Sequence, residues 1–363
     1  MPALEQAIKD CDVEAVKTFF CDTDAKNTLN SFTEDDESYL ISAIQTGNSE
    51  IVELLLHANA DANFRNKSGE TPLSVACREN ASSDVIPRLL VAHNANVNDC
   101  CDGDGSSLPL ALACESKNKQ VVEFLLASHA SVSPSSAERD EVLSSAVKSG
   151  DLSIVELILK QYPSTVTSID TRVIEAAYDV RERTGSLQML DFFLNGAGNV
   201  FQLEDKSDLD MLVLCTSQNQ DAEALRYVLG FGPELASSPF HIPFLYGVVC
   251  MGFTEGVRIL IEHGADVNDL VCVTETQSLL GCAARNKDIE TAKVLLDAKA
   301  DPNVVLESMP LGIAVKNNQW PMVQLLLQHG ADPDLCNKHG ESAKSLVQAD
   351  RTDAQIVSAL FGN

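Results

Sequence analysis

Short apolar stripes with a helical spacing recur along the chain and are separated by polar turns. In the clearest copy, Leu73, Ala76 and Cys77 recur at spacings of three and four residues, which places them on one face of a short helix. Thr71 is a good N-cap residue, and Pro72 then falls at the first helical position, where its missing N–H costs no hydrogen bond. A turn and a second apolar stripe follow, so the pattern predicts pairs of short helices.

The first apolar stripe can be followed through the whole sequence. Its opening position recurs from residue 4 to residue 344 in ten steps, a mean spacing of 34 residues. One helix pair is too small to bury its own stripe, so we expect the pairs to stack into a solenoid. The anchor positions are Leu4, Leu40, Leu73, Leu110, Leu143, Val173, Met211, Leu245, Leu280, Leu311 and Lys344.

Three motifs repeat at this period. Thr71-Pro72-Leu73-Ser74-Val75-Ala76 opens a first helix, Ile51-Val52-Glu53-Leu54-Leu55-Leu56 forms a second helix, and Gly264-Ala265-Asp266-Val267-Asn268 closes a unit. With these motifs the chain resembles the ankyrin-repeat family over essentially its whole length. The resemblance implies an all-α ankyrin-repeat solenoid of about ten to eleven stacked helix-turn-helix units with short β-hairpin finger loops.

The regularity of the pattern divides the chain into three parts. Residues 1–36 are interpreted as an N-terminal capping repeat and acidic loop, 37–336 as ankyrin repeats that are irregular around 133–242, and 337–363 as a C-terminal capping repeat. Unit six carries extra residues, 181–185, which we place between its helices. In the irregular region we prefer a lengthened loop within one continuous stack of repeats. The alternative is a break in the stack near residues 133–142.

Composition and charge narrow the classes of partner. The 363 residues include 26 Lys and Arg against 53 Asp and Glu, so the net charge is −27. This charge opposes contact with nucleic acid or anionic membranes, and no apolar stretch approaches the roughly 20 residues that a membrane span needs. Neither a secretory signal nor a regular spacing of the 11 cysteines is present, so we expect an intracellular protein, cytoplasmic or nuclear, with reduced thiols and a monomeric state.

Enzyme and metal motifs are absent from the sequence. We find no phosphate-binding loop, zinc-binding His-Glu-x-x-His or nucleophile elbow, and we predict no cofactor, metal or catalytic residue. His93, His263 and His329 share one repeat position, which predicts a helix-end role rather than a shared ion. Cys77, Cys114 and Cys215 fall at a small, buried position of the first helix.

The asparagines that close the finger motif have two interpretations. In the ankyrin-repeat family this residue is a target of asparaginyl hydroxylation, so the resemblance makes four positions candidates for that modification. The alternative, which we prefer as the reason for the residue type, is a hydrogen bond to local backbone within the turn. The four positions are Asn63, Asn98, Asn268 and Asn303.

Two adjacent fingers are unusually apolar and indicate a partner-binding surface. Contiguous exposed apolar area often marks an interaction site, although the two fingers could instead bury these side chains against each other as paired strands. The lone tryptophan begins a second helix, where we expect it to face solvent. The candidate partner-binding residues are Leu270, Val271, Val273, Val304, Val305, Leu306 and Trp320.

These observations favour a non-catalytic scaffold or adaptor. Its partner would be one or more proteins bound along a concave groove of fingers and first helices, and the acidic balance predicts a partner surface of basic character. One alternative is a regulatory inhibitor that occludes or targets a partner enzyme. A remote alternative is an enzyme with an unrecognised site around residues 169–244.

Overall fold

The structure is a computed structural model of the chain. It describes residues 2–20, 29–33, 37–79, 83–99, 108–132, 136–161, 171–195, 206–231, 244–268, 278–347 and 353–361.

Within these ranges the secondary structure consists of 21 α-helices, of which the first 20 form ten consecutive pairs. Their bounds are α1 Pro2–Lys9, α2 Val13–Phe19, α3 Tyr39–Thr46, α4 Ser49–His57, α5 Pro72–Glu79, α6 Val85–Ala92, α7 Pro109–Glu115, α8 Lys119–Ala127, α9 Ser136–Ser149, α10 Leu152–Leu159, α11 Thr171–Thr184, α12 Gln188–Leu194, α13 Lys206–Gln218, α14 Ala222–Phe231, α15 Phe244–Cys250, α16 Thr254–Glu262, α17 Leu279–Asn286, α18 Ile289–Asp297, α19 Pro310–Lys316, α20 Trp320–Gln328 and α21 Ala354–Phe361. The predicted all-α class with about ten to eleven units is confirmed.

Hairpin character in the described fingers is limited to single β-bridges. Phe32 pairs with Ser38, and Cys336 pairs with Ser342, both in antiparallel fashion. Among the described residues no longer strand forms.

Several helices begin where the sequence supplies an N-cap side chain. The Thr71 hydroxyl accepts a hydrogen bond from the Ser74 N–H at 3.2 Å, and Pro72 is the first residue of α5, as the motif predicts. The Asn48 side chain accepts from two backbone N–H groups at the start of α4. Within a pair, Gly47 takes a positive φ of 72°, but Lys287 occupies the equivalent turn at 60°, so glycine is not required there.

The chain divides into two compact units, and the first comprises Met1–Gln202. The first helices of its pairs, α1, α3, α5, α7, α9 and α11, each contact the next in order. Second helices pack alongside, as α2 does on α4 and α4 on α6. Because α9 contacts both α7 and α11, the helix stack continues through residues 136–149.

The second unit comprises Leu203–Asn363. Here α13, α15, α17 and α19 form the row of first helices, and α14, α16, α18, α20 and α21 form the row of second helices. Gly256 lies buried in α16 against the Phe253 ring and the Val248 side chain, which leave no room for a Cβ atom. Residues 343–346 form a turn where the last unit would have its first helix, so Lys344 lies outside any helix.

The predicted anchors form the core in nine of eleven units. They are buried except Met211 and Lys344, which are half-buried. In α13 the neighbouring Leu212 and Val213 are buried instead, so the register inferred for unit seven is wrong by one residue. Of the extra residues of unit six, 181–184 belong to α11, which runs on to Thr184, and only Gly185 lies between the helices as predicted.

The predicted domain boundaries at 36 and 336 stay predictions. No described helix combines the length and the apolar character that a bilayer crossing requires.

Candidate functional site

Five of the described fingers begin with a turn that an Asp or Asn side chain closes. The Oδ1 atoms of Asp61, Asp266, Asp301 and Asp332 accept a hydrogen bond from the backbone N–H two residues on, at 2.8–2.9 Å. Asn96 forms the same contact at 3.0 Å. Asp and Asn stabilise turns through this local bond, so the Asp of the Gly-Ala-Asp-x-Asn motif defines the shape of the finger entry.

The four finger asparagines bond to the following repeat. In all four, Oδ1 accepts a backbone N–H of the next finger at 2.7–2.8 Å. Nδ2 donates to the carbonyl two residues before that N–H, at 2.8–3.4 Å. The expectation that Asn63, Asn98, Asn268 and Asn303 bond to local backbone is therefore wrong. The preceding Asp or Asn already fills the local role, which leaves the amide group free to reach across. Hydroxylation of these four residues stays a prediction.

A further asparagine of this type precedes the four. The Oδ1 of Asn30 accepts the Asp61 N–H at 2.8 Å, which is the same contact one repeat earlier. The sequence motif around it is too degenerate to recognise. Its signal is position alone, because Asn30 stands 33 residues before Asn63.

A second structural motif stabilises the bend of two fingers, 66–70 and 337–341, which share the sequence Asn-Lys-x-Gly-Glu. In both, the Asn Oδ1 accepts the backbone N–H of the Glu four residues on, at 2.8 and 2.9 Å. The Asn Nδ2 donates to that Glu carboxylate at 3.0 and 3.1 Å. The two five-residue segments match at four positions, a repeat that is visible in the sequence and that sequence reasoning missed.

The glutamates of these bends are held in their charged form. Burial pushes the pKa of Glu70 upward, but hydrogen bonds from Arg78 and Asn66 outweigh burial, and the pKa lies below its ordinary value of 4.5. The pKa of Glu341 is also lowered, first by the hydrogen bond from the asparagine of its bend and then by the charge of Lys316. Lys316 Nζ lies 3.5 Å from that carboxylate.

The second apolar finger is bonded along its backbone to the finger that follows. The Lys338 N–H donates to the Leu306 carbonyl at 3.1 Å, and Asn337 Nδ2 donates to the Glu307 carbonyl at 2.9 Å. Val305 remains 47% exposed, whereas Val304 and Leu306 are half-buried. Leu270, Val271 and Val273 of the first apolar finger lie outside the described residues.

Trp320 begins α20 with Pro321 as its neighbour, as the sequence predicts. Its side chain is half-buried rather than facing solvent fully. Part of the Trp320 side chain is therefore accessible to solvent, and the rest is covered by the protein.

Three exposed aspartates occupy equivalent positions on consecutive fingers of the second unit. We call Asp266, Asp301 and Asp332 the acidic row. The asparagine bonds described above connect successive members, since Asn268 accepts the Asp301 N–H and Asn303 accepts the Asp332 N–H, both at 2.8 Å. The row places like charges along one side of the fingers at a repeat-length interval.

The three histidines and three cysteines that share a repeat position lie where the sequence predicts, with one exception. His93, His263 and His329 each lie at the C-cap of a second helix, which confirms the helix-end prediction. Cys77 and Cys114 are buried, but Cys215 is only half-buried. Across the described ranges no group of three or more His, Cys, Asp or Glu side chains converges as a metal site would.

Comparison with known proteins places these features in a family. The family model for ankyrin repeats (three copies) matches residues 4–101, 80–170 and 280–362. The chain is 26% identical over 314 residues to the E3 ubiquitin-protein ligase KEG of Arabidopsis thaliana, a match covering 82% of this chain and 18% of that protein. It is 24% identical over 310 residues to the putative ankyrin repeat protein FPV115 of Fowlpox virus, covering 84% of this chain and 54% of that protein.

A third relative, the palmitoyltransferase ZDHHC13 of Mus musculus, is 31% identical over 133 residues, which cover 36% of this chain and 20% of that protein. The chain thus spans about half the length of one of these relatives and about a fifth of the other two. The family match exceeds half of the chain and agrees with the observed helix pairs and bonded fingers. The chain belongs to the ankyrin-repeat family.

Proposed function

We propose that the chain is a non-catalytic protein-interaction module that binds partner protein along the fingers and first helices. Ankyrin repeats are generally protein-protein interaction modules. The observation that carries the proposal is the bonding of each finger asparagine to the next repeat, with both atoms of its amide. Such bonds hold successive finger tips in a fixed register, and a preorganised surface loses less conformational entropy when it binds.

The partner that fits this surface presents basic groups. The acidic row projects exposed carboxylates from three consecutive fingers, and the whole chain carries a net charge of −27. Complementary charge accelerates association and selects among partners. The same charge opposes nucleic acid, so we expect a protein partner, met by a monomeric chain inside the cell, in cytoplasm or nucleus.

The apolar contribution to binding is assigned to the two apolar fingers and Trp320. Val305 is the exposed member that the structure describes, at 47%. Leu270, Val271 and Val273 belong to the same proposal by sequence, as do Val304 and Leu306.

The apolar part is tested with Val305→Asp and a matched control. Val85, at the start of α6, is also 47% exposed and lies on a second helix away from the fingers. We expect Val305→Asp to weaken partner binding about tenfold and Val85→Asp to leave it within about twofold, as for burial of one apolar side chain. Equal affinities of the two variants would remove the apolar finger from the binding surface.

The function itself is tested by affinity purification with the intact chain, followed by binding of the recovered partner over a salt series. We expect a specific partner whose affinity falls as ionic strength rises, because screening weakens contacts between exposed charges. Affinity that is flat from low to high salt would contradict the basic-partner proposal. Failure to recover any specific partner would contradict the interaction role.

A further inference from the structure

Two thiols of neighbouring repeats lie in direct contact in the second unit. Cys250 is the last residue of α15 and Cys282 is the fourth residue of α17, two first helices that pack side by side. Their Sγ atoms are 2.9 Å apart. Neither residue belongs to the small-position set that sequence reasoning assigned to the core, so the pair is visible only in the structure.

The backbone around the pair is already fixed in place. Asn286 Nδ2, on the last turn of α17, donates to the Cys250 carbonyl at 3.0 Å and reaches the Val249 carbonyl at 3.4 Å. These bonds join the C-terminal end of α15 to α17. A covalent link between the two sulfur atoms therefore requires side-chain adjustment rather than a new arrangement of the helices.

The two thiols differ in their access to solvent. Cys250 is exposed, whereas Cys282 is 3% exposed. Burial, and next the hydrogen bond with Cys250, raises the pKa of the Cys282 thiol to about 12, so Cys282 keeps its proton at neutral pH. A dissolved oxidant therefore meets Cys250 first, with a protonated resolving thiol directly behind it.

We propose that Cys250 and Cys282 form a reversible disulfide in response to a peroxide, as a redox modification site that couples two neighbouring repeats. Many redox-sensor cysteines are solvent-accessible and lie next to a resolving cysteine, and transient disulfides of this kind occur in reducing compartments.

The reaction is balanced by one hydrogen peroxide. The Cys250 sulfur, as thiolate, attacks one peroxide oxygen, the O–O bond breaks, and the departing hydroxide leaves as water with the proton that the thiol gave up. The Cys282 sulfur then attacks the sulfur of the Cys250 sulfenic acid, the S–O bond breaks, and the hydroxide leaves as water with the Cys282 proton. Two thiols are oxidised, the peroxide is reduced to two waters, and a dithiol reductant reverses the change by thiol–disulfide exchange.

The consequence is a covalent bond between α15 and α17. The loop that it closes, from 250 to 282, includes α16, so the two repeats lose the freedom to separate locally. We expect backbone amide exchange in α15, α16 and α17 to slow by about tenfold or more on oxidation, since a closed loop of this length restricts opening.

The test uses the full, reduced chain exposed to one equivalent of hydrogen peroxide, followed by alkylation of free thiols and peptide mapping by mass spectrometry. We expect a peptide in which Cys250 is joined to Cys282, the loss of two of the 11 free thiols, and recovery of both after a dithiol reductant. The proposal is overturned if Cys250 and Cys282 stay free while the exposed Cys11 or Cys336 are oxidised, or if Cys250 pairs with another cysteine.

Three variants separate the roles of the thiols. In Cys282→Ser, we expect the cross-link to vanish and Cys250 to persist as a sulfenic acid that a dimedone probe traps. In Cys250→Ser, we expect Cys282 to resist both peroxide and alkylation until the chain is unfolded. Cys11→Ser removes an exposed thiol of the first unit and should leave the cross-link unchanged. Trapping of Cys250 by dimedone at equal yield in wild type and Cys282→Ser would contradict resolution by Cys282.

Discussion

At the scale of single residues, one amide side chain connects two fingers. Asn268 accepts the Asp301 N–H at 2.8 Å and donates to the Lys299 carbonyl at 3.0 Å. Only Asn has a donor and an acceptor at this reach, whereas Asp would place an oxygen against the carbonyl. The contact with the next repeat therefore explains why the residue is Asn. The sequence alone did not indicate that this side chain bonds to the following finger.

Replacing this amide tests the connection. Asn268→Ala removes both bonds, and we expect the free energy of unfolding of the second unit to fall by about 1–2 kcal/mol and the Asp301 amide to exchange faster. The measurement is amide hydrogen exchange resolved by residue.

The control for Asn268→Ala is Asn219→Ala. The Asn219 amide donates only to the Cys215 carbonyl four residues earlier, at 3.0 Å. We expect this control to leave exchange in the fingers unchanged. Unchanged exchange at Asp301 in Asn268→Ala would refute the inter-finger role.

The bend of the finger at 66–70 predicts a pH dependence. The pKa of Glu70 lies below its ordinary value of 4.5 in the folded chain, so its bonds to Arg78 and Asn66 stabilise the fold above that pH. This stabilisation is lost as pH falls below 4.5 and through the folded value. Because the carboxylate is partly exposed, we expect a contribution of about 1 kcal/mol or less.

Glu70→Gln measures this contribution by denaturant unfolding at several pH values. The variant should be less stable than wild type at pH 7, and the difference should disappear in acid. Glu123→Gln, on the exposed face of α8, should show no comparable change. A Glu70→Gln difference that persists in acid would assign the effect to packing rather than charge.

Sequence reasoning located the residues of the fingers better than it located their partners. The motif identified Asn63, Asn98 and Asn303. Asn30 was missed because the motif residues around it have changed and only its spacing from Asn63 is kept. The half-buried state of Trp320 was missed too, since the motif predicts the position of the ring on its helix and not how much of the ring is covered. Contacts between repeats depend on the exact stacking, which a single sequence does not state.

At the scale of helices, the caps and stripes are local, and the sequence predicts them well. Thr71 with Pro72 predicts the start of α5, and Gly47 predicts the turn after α3, as observed. Two errors arose where tertiary contacts decide. In α13, Leu212 and Val213 occupy the core instead of Met211, and α11 continues through residues 181–184, which sequence reasoning placed between the helices of unit six.

Two helical glycines test the packing of the second unit. A Cβ atom at Gly256 would overlap the Phe253 ring and lie 2.9 Å from Val248 Cγ1, so we expect Gly256→Ala to lower the free energy of unfolding by about 1–3 kcal/mol. Gly230 in α14 has open space around it, so Gly230→Ala should raise stability by up to about 1 kcal/mol through helix propensity.

Thermal and denaturant unfolding of both variants checks these opposite signs. A stabilised Gly256→Ala would show that the contact with Phe253 is not close in solution. A destabilised Gly230→Ala would contradict its placement in an open helical site.

At the scale of the whole molecule, the repeat determines how the negative charge is distributed over the surface. A length of 363 residues suggests two or three domains, but the period resolves the chain into ten helix pairs and a last helix within the described ranges. The net charge of −27 then describes a surface on which equivalent acidic positions recur from finger to finger. Which protein binds depends on the detailed shape and charge of both surfaces. The sequence therefore predicts only the chemistry of the partner, a basic surface.

The acidic row can be neutralised without disturbing the finger turns. Asn96 closes its turn by the same Oδ1 contact that the aspartates form, at 3.0 Å, so Asp266→Asn, Asp301→Asn and Asp332→Asn together should keep the fold while removing three charges. The matched control removes three charges from exposed positions of second helices, with Glu53→Gln, Glu123→Gln and Glu290→Gln.

The equilibrium affinity of the recovered partner for wild type, the acidic-row variant and this control, at about 0.15 M salt, tests the central claim most directly. We predict that the acidic-row variant binds on the order of tenfold more weakly than wild type and that the control binds within about twofold of it. Equal affinity of the acidic-row variant and the control would contradict binding of a basic partner through the fingers.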